Sequence, residues 1–314
     1  MEILWILLGV AAFLAAAVLL ISYICFRMAF YMKDEDKIPK EEFPIPDGEI
    51  YEPYRERMTQ WMKETRSLPQ EEFWITSYDG LKLRGRYFEF APGAPIDLMM
   101  HGYRGNAERD LCGGVQRCFA LGRSALIVDQ RACGYSQGNV ITFGVKERRD
   151  CRSWVDFMVG HFGEDVKIHL TGISMGAATV LMAAGYPLPK QVVGVLADCG
   201  YTSAREIIEK VIRVDLKLPV KLAYPFVKLA ARLYGGFDLE ELPPIEAVKN
   251  CTVPVIFYHG EADGFVPCDM SVRNFEACRA PRKKLVTIPG ADHGLAYPVD
   301  KQLYLQTLRD FFEE

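Results

Sequence analysis

The apolar positions of the chain follow three patterns in turn. From Ile3 to Phe26 the run ILWILLGVAAFLAAAVLLISYICF holds no charged residue. At about 1.5 Å per residue, a helix of that length crosses a hydrocarbon core of about 30 Å. A cleavable leader has a basic n-region and a shorter apolar stretch, whereas only Met1 and Glu2 come first here. The expectation is an uncleaved membrane anchor over residues 1–28. A charged stretch with Pro39, Pro44 and Pro46 then reads as a linker over residues 29–49. After it, Tyr51, Tyr54, Met58, Trp61 and Met62 recur at helical spacing and predict an amphipathic helix whose stripe packs on a core.

From Glu72 onward short β-rich runs alternate with helical segments. Phe73–Ser77 and Leu81–Phe88, joined by Tyr78-Asp79-Gly80, predict an antiparallel hairpin. Compact apolar strands follow at 96–100, 125–129, 168–172, 192–197, 255–258 and 284–288. Between two of them Cys151, Trp154, Val155, Met158 and Phe162 mark one face of a helix. Buried strands alternating with helices make an α/β domain over residues 50–314, its mostly parallel sheet covered on both faces. Residues 203–250 are helical in pattern, broken by Pro219, Pro225, Pro243 and Pro244, and longer than a crossover requires.

Charge and cysteine usage narrow the function classes. A net charge of −4 lacks the basic excess of a nucleic-acid binder. The nine cysteines are odd in number, scattered and without a CxxC pair, which reads as reduced thiols rather than a disulfide framework or a zinc site. Arg27, Lys33, Lys37 and Lys40 follow the apolar run and no cation precedes it, so a single-pass protein with its catalytic domain in the cytoplasm is expected.

In a parallel sheet, ligands bind at the carboxyl ends of the strands. There LTGISMGAAT sets Ser174 between Gly172 and Gly176, after a strand and before a helix. A strained strand–turn–helix exposes a serine hydroxyl, and the helix N-terminus aims amides at an oxyanion, the Met175 N–H among them. The serine needs a base, and only five histidines exist. His169 lies within a strand, His161 near a helix end, and His101 and His259 each precede a glycine in a turn. His293, on the glycine-rich loop IPGADHG after the last strand, is the expected base. Its orienting carboxylate is expected to be Asp263 in HGEADGFVP, with Asp198 in LADCGYTS as the competitor. Asp292 reads as a loop residue pointing away.

The order Ser174, Asp263, His293, the Gly172–Gly176 elbow and His101-Gly102-Tyr103 after an early strand resemble the α/β-hydrolase superfamily. Within it, the chain is similar to bacterial serine hydrolases described as esterase-, lipase- or serine-aminopeptidase-like. The resemblance spans roughly residues 72–312. It implies a Ser–Asp–His triad, an oxyanion hole of the Tyr103 and Met175 N–H groups, and a cap formed by residues 203–250. It also makes Asp129–Ser136 the loop that usually reads DxRGxGxS, here with Ala132 and Cys133 in place of the commoner glycine and histidine.

The expected activity is hydrolysis of carboxylic esters through an acyl-enzyme, with no metal or organic cofactor needed. The substrate is a small-molecule acyl ester, or a peptide if the same triad serves a peptidase; acyl transfer is a further alternative. A non-catalytic membrane scaffold is the remote one, since both serine and histidine are present. Within Leu218–Tyr234, Lys221, Lys228 and Arg232 form a basic stripe, read either as the solvated face of a lid or as a surface for anionic headgroups.

Overall fold

Strands β1 (Glu71–Thr76) and β2 (Lys82–Phe88) form the hairpin that the turn at Tyr78–Gly80 predicts. Six further strands follow: β3 (Ile96–Met100), β4 (Ser124–Val128), β5 (Ile168–Ile173), β6 (Val192–Asp198), β7 (Val255–Gly260) and β8 (Lys283–Ile288). They make one eight-stranded sheet in the order β1-β2-β4-β3-β5-β6-β7-β8. β2 meets β4 antiparallel, and β3 to β8 run parallel, so all their carboxyl ends lie along one rim. The structure, a computed structural model, describes residues 1–313.

Both faces of the sheet are covered, and so β3, β4 and β7 are buried at every position. On one face the helix Glu147–Phe162 buries Cys151, Trp154, Val155 and Met158, as its stripe predicts. A separate core holds the helix Arg55–Ser67, whose Trp61 ring stacks on Tyr297 at 5.5 Å.

Between β6 and β7 the chain leaves the sheet. It forms a helix at Ala204–Lys210, a π-helical turn at Val211–Asp215 and a longer helix at Val220–Leu233. They line one cavity with Ser174 at the carboxyl rim, and the longer helix packs against the N-terminal helix Glu2–Ala29. That helix is apolar and long enough to cross a membrane by length and composition. Most of it is exposed, but one side of its end is not: Phe26 and, just past the helix, Phe30 and Met32 share a buried cluster with Ile207, Ile212 and Val227. The Ile141 N–H donates to the Phe30 carbonyl at 2.8 Å and the Met32 N–H to Asn139 at 2.9 Å. The stretch read as a linker is therefore docked at both ends, with Ile45 buried beside Tyr51 and Met58.

Candidate active site

β5 ends at Ile173, the next helix begins at Met175, and Ser174 stands alone between them with φ +56° and ψ −118°. A non-glycine residue there costs about 1–3 kcal/mol, which the surroundings must overcome. The two glycines let the turn close. A Cβ on Gly172 would lie 2.1 Å from the Gly176 carbonyl oxygen, and one on Gly176 would lie 2.0 Å from that of Met100. The Ser174 N–H donates to the Asp198 carbonyl at 2.8 Å, which fixes the turn against β6.

Across the rim, His293 reaches Ser174 from the loop after β8, and Asp263 comes from the loop after β7. His293 Nε2 is 2.9 Å from Ser174 Oγ, and its Nδ1 is 2.7 Å from Asp263 Oδ2. A carboxylate accepts, so Nδ1 carries the proton and Nε2 is left to accept from the serine. Asp263 Oδ1 accepts from the Phe265 and Val266 N–H groups at 2.9 and 2.8 Å. Burial pushes the Asp263 carboxyl up, but hydrogen bonds from His259 and His293 outweigh it and hold the group at about 2.

The sequence reads His259 as a turn residue, yet it is fully buried on the far side of Asp263. Its Nε2 lies 2.8 Å from the Val266 carbonyl and 3.1 Å from Asp263 Oδ2. The carbonyl can only accept, so Nε2 is the donor and Nδ1 accepts from Ser271 Oγ at 2.6 Å. Asp292 also differs from its sequence reading. Instead of pointing away, its Oδ1 accepts from the His293 N–H at 2.7 Å and from Gly264 at 3.1 Å, clasping the two loops together.

Gly102 packs against Ser174: a Cβ on it would lie 3.6 Å from the serine Cβ. Its N–H donates to Asp110 Oδ2 at 2.9 Å, which pins the loop that carries Tyr103. Among the described residues, the backbone N–H groups of Tyr103 and Met175 donate to no protein acceptor. An oxyanion hole requires two such free donors beside the nucleophile.

The other candidates lie elsewhere. Asp198 sits at the end of β6, buried, and its Oδ2 accepts from the Tyr304 hydroxyl at 2.9 Å rather than from an imidazole. His101 ties β3 to β4 by accepting from the Gln130 N–H at 3.0 Å. His169 faces Asp97 at 3.4 Å, and His161 lies among Phe73, Phe157 and Phe162. Cys199 is a second unexpected neighbour, forming with Asp263 and His293 a group of donors within 4.8 Å of one another. Burial, reinforced by the charges of Asp198 and Asp263, pushes its thiol well up.

The Asp129–Ser136 loop folds without the commoner glycine, because Ala132 itself takes φ +64°. Asp129 accepts from the Ala107 and Tyr135 N–H groups at 3.0 and 3.2 Å, and the Arg131 guanidinium spans Asp150 and Asp79. The basic stripe of the cap is largely neutralised: Lys228 pairs with Glu240, and Arg232 with Asp238 at 2.8 Å. Only Lys221 keeps the character that the sequence lent to all three.

A model of the prolyl oligopeptidase family matches residues 141–314, which include Ser174, Asp263 and His293. An uncharacterized protein of Bacillus subtilis, YqkD, is 26% identical over 98% of this chain and 97% of its own length. The bem46 protein of Schizosaccharomyces pombe is 25% identical over 70% of this chain and 68% of its own. In fold, the chain is similar to the Pyrococcus furiosus esterase Pf2001 (TM-score 0.66, 21% identity, 86% of this chain and 96% of that one). It is similar also to Est1E from Butyrivibrio proteoclasticus with bound ferulic acid (TM-score 0.59, 22% identity, 76% and 97%). The sheet order, the rim on which the site is built and a family match over more than half the chain agree: this hydrolase of the α/β-hydrolase class belongs to the prolyl oligopeptidase family.

Proposed function

We propose that the protein is a serine hydrolase that cleaves carboxylic esters through an acyl-enzyme. The observation that carries this reading is His293, in hydrogen-bond contact with Ser174 on one nitrogen and Asp263 on the other. Ser174 Oγ attacks the ester carbonyl carbon while His293 Nε2 takes the hydroxyl proton. The carbonyl oxygen becomes the oxyanion, held by the Tyr103 and Met175 N–H groups, each contributing about 3 kcal/mol at comparable sites. Collapse breaks the carbon–oxygen bond, and the leaving alcohol departs with the proton from His293. Water then attacks the acyl-serine, His293 takes its proton, and Ser174 regains a hydrogen as the acid is released. Asp263, ionised, fixes the imidazole tautomer and stabilises the imidazolium.

Ester cleavage is favoured over amide cleavage by solved structures of similar fold that carry the name esterase. The family's description keeps the peptidase reading as the second one. Nitrophenyl esters and aminoacyl anilides separate them. Turnover of the esters alone is expected, lost in Ser174→Ala; turnover of the anilides alone gives the site to the peptidase reading, and turnover of neither overturns both. In this reading residues 1–28 anchor the hydrolase domain, residues 50–314, with its cap at about 203–250. The cations after the helix set that domain in the cytoplasm. A C-terminal reporter that responds on the opposite side of the membrane would reverse the orientation.

A further inference from the structure

Ser174 stands between two cavities of different chemistry. One, of about 480 Å³, is rimmed by Asp47, Arg104, Arg109 and Asp110 and contains His293. The other, of about 400 Å³, has no charged residue in its lining. Its cap wall is built of Ile208, Ile212 and Val227, its opposite wall of Ile24 and Met28 from the N-terminal helix, and its floor is Ser174. Two tyrosines also border it, but both hydroxyls are already bonded, Tyr103 to the Ala29 carbonyl at 2.8 Å and Tyr201 to that of Phe143 at 3.1 Å. The lining therefore offers a ligand apolar contact and, at the floor, the Ser174 hydroxyl.

The wall from the N-terminal helix is the unusual part. Ile24 and Met28 belong to the same helix that is apolar enough to span a bilayer, and they are exposed beside the cavity. The cap's contribution to this rim is also apolar and exposed, at Leu216 and Leu218. In water such a rim is unfavourable; at the end of a membrane span it faces lipid. A cavity of this size suits a drug-sized apolar ligand, for which roughly 300–1,000 Å³ is usual.

We infer that the substrate is a membrane-borne ester of a long-chain fatty acid. Its acyl chain enters from the bilayer between the N-terminal helix and the cap and lies in the apolar cavity, while its polar alcohol occupies the charged one. The inference rests on Ser174 being the acylated serine. Oγ bonds to the acyl carbon at the cavity floor, the ester carbon–oxygen bond breaks, and the alcohol leaves with the proton from His293. Water returns the chain as the free acid.

The test uses full-length protein in detergent with p-nitrophenyl acetate and p-nitrophenyl palmitate. Ala223→Trp fills the cavity from the cap and Ala29→Trp from the end of the N-terminal helix. Each is expected to lower the palmitate-to-acetate ratio of kcat/KM by about tenfold or more relative to wild type, because buried methylenes carry the preference. Comparing ratios cancels the partition of each ester into detergent. A ratio that moves less than about twofold in both variants overturns the inference but leaves the serine mechanism standing. No turnover of either ester by wild type overturns the mechanism, and the inference with it. A second measurement needs no variant: hexadecyl fluorophosphonate is expected to inactivate wild type about tenfold faster than the ethyl compound, and equal rates would also overturn the inference.

Discussion

The two sides of Ser174 are held by different forces. On the rim side, loops after β5, β7 and β8 converge through directed bonds: Asp263 takes four hydrogen bonds, from His293, His259, Phe265 and Val266, and Asp292 clasps the loop that carries His293. On the cap side a few bonds to backbone carbonyls accompany a larger area of apolar packing between segments far apart in the chain, with Phe30 buried between Phe143 and Phe237. Directed bonds fix a proton-transfer geometry to tenths of an ångström, whereas apolar packing shapes a volume and tolerates many occupants. On the proposed function, chemistry and specificity are therefore expected to respond to different substitutions.

The sharpest way to break that comparison is on the rim. Asp263→Asn is expected to lower kcat by about 10⁴-fold, since the imidazole then loses its tautomer. Asp198→Asn, which keeps the Tyr304 contact, should stay within about tenfold of wild type. A reversed ranking in steady-state assays would move the acid to the end of β6.

On the cap side, Phe30→Ala should destabilise the protein by about 3–5 kcal/mol, because the residue is fully buried and its ring meets two others edge-on. Leu14→Ala, on the exposed part of the same helix, should change stability by less than about 0.5 kcal/mol. Thermal unfolding in detergent checks both. Equal effects would mean that the helix end is not part of the cap core.

A smaller loss of stability than that of Phe30→Ala comes from a pH slope. The Asp263 carboxyl, held at about 2, lies below its unfolded value of 3.8, so its contribution is complete above about pH 4 and is lost as pH falls toward 2. At 1.36 kcal/mol per unit this amounts to about 2 kcal/mol. Unfolding midpoints followed from pH 6 to 2 should fall more steeply in wild type than in Asp263→Asn. Parallel curves would remove the bonded carboxylate from the account.

The rim was the readable half because its signals are local. Gly172 and Gly176 flank Ser174 within five residues, and every strand lies within two residues of its predicted bounds. The second histidine on Asp263 is hidden because His259-Gly260 has an ordinary turn explanation, and only its i,i+4 spacing to Asp263 signals the contact. The cap half depends on pairings between distant segments. Nothing near Lys228 and Arg232 announces that Glu240 and Asp238 fold back onto them, and nothing in a uniform apolar run marks that Phe26 packs into a buried cluster. For the same reason a truncation at residue 32 would remove buried Phe26, Phe30 and Met32 from the cap core.

The central claim is that Ser174 is the acylated residue, and covalent capture tests it most directly. Full-length protein treated with a fluorophosphonate and mapped by peptide mass spectrometry should carry one adduct, on Ser174. The adduct should be absent in Ser174→Ala and form on the order of 10³-fold more slowly in His293→Ala. An adduct on any other residue, or labelling that persists in Ser174→Ala, would contradict the account.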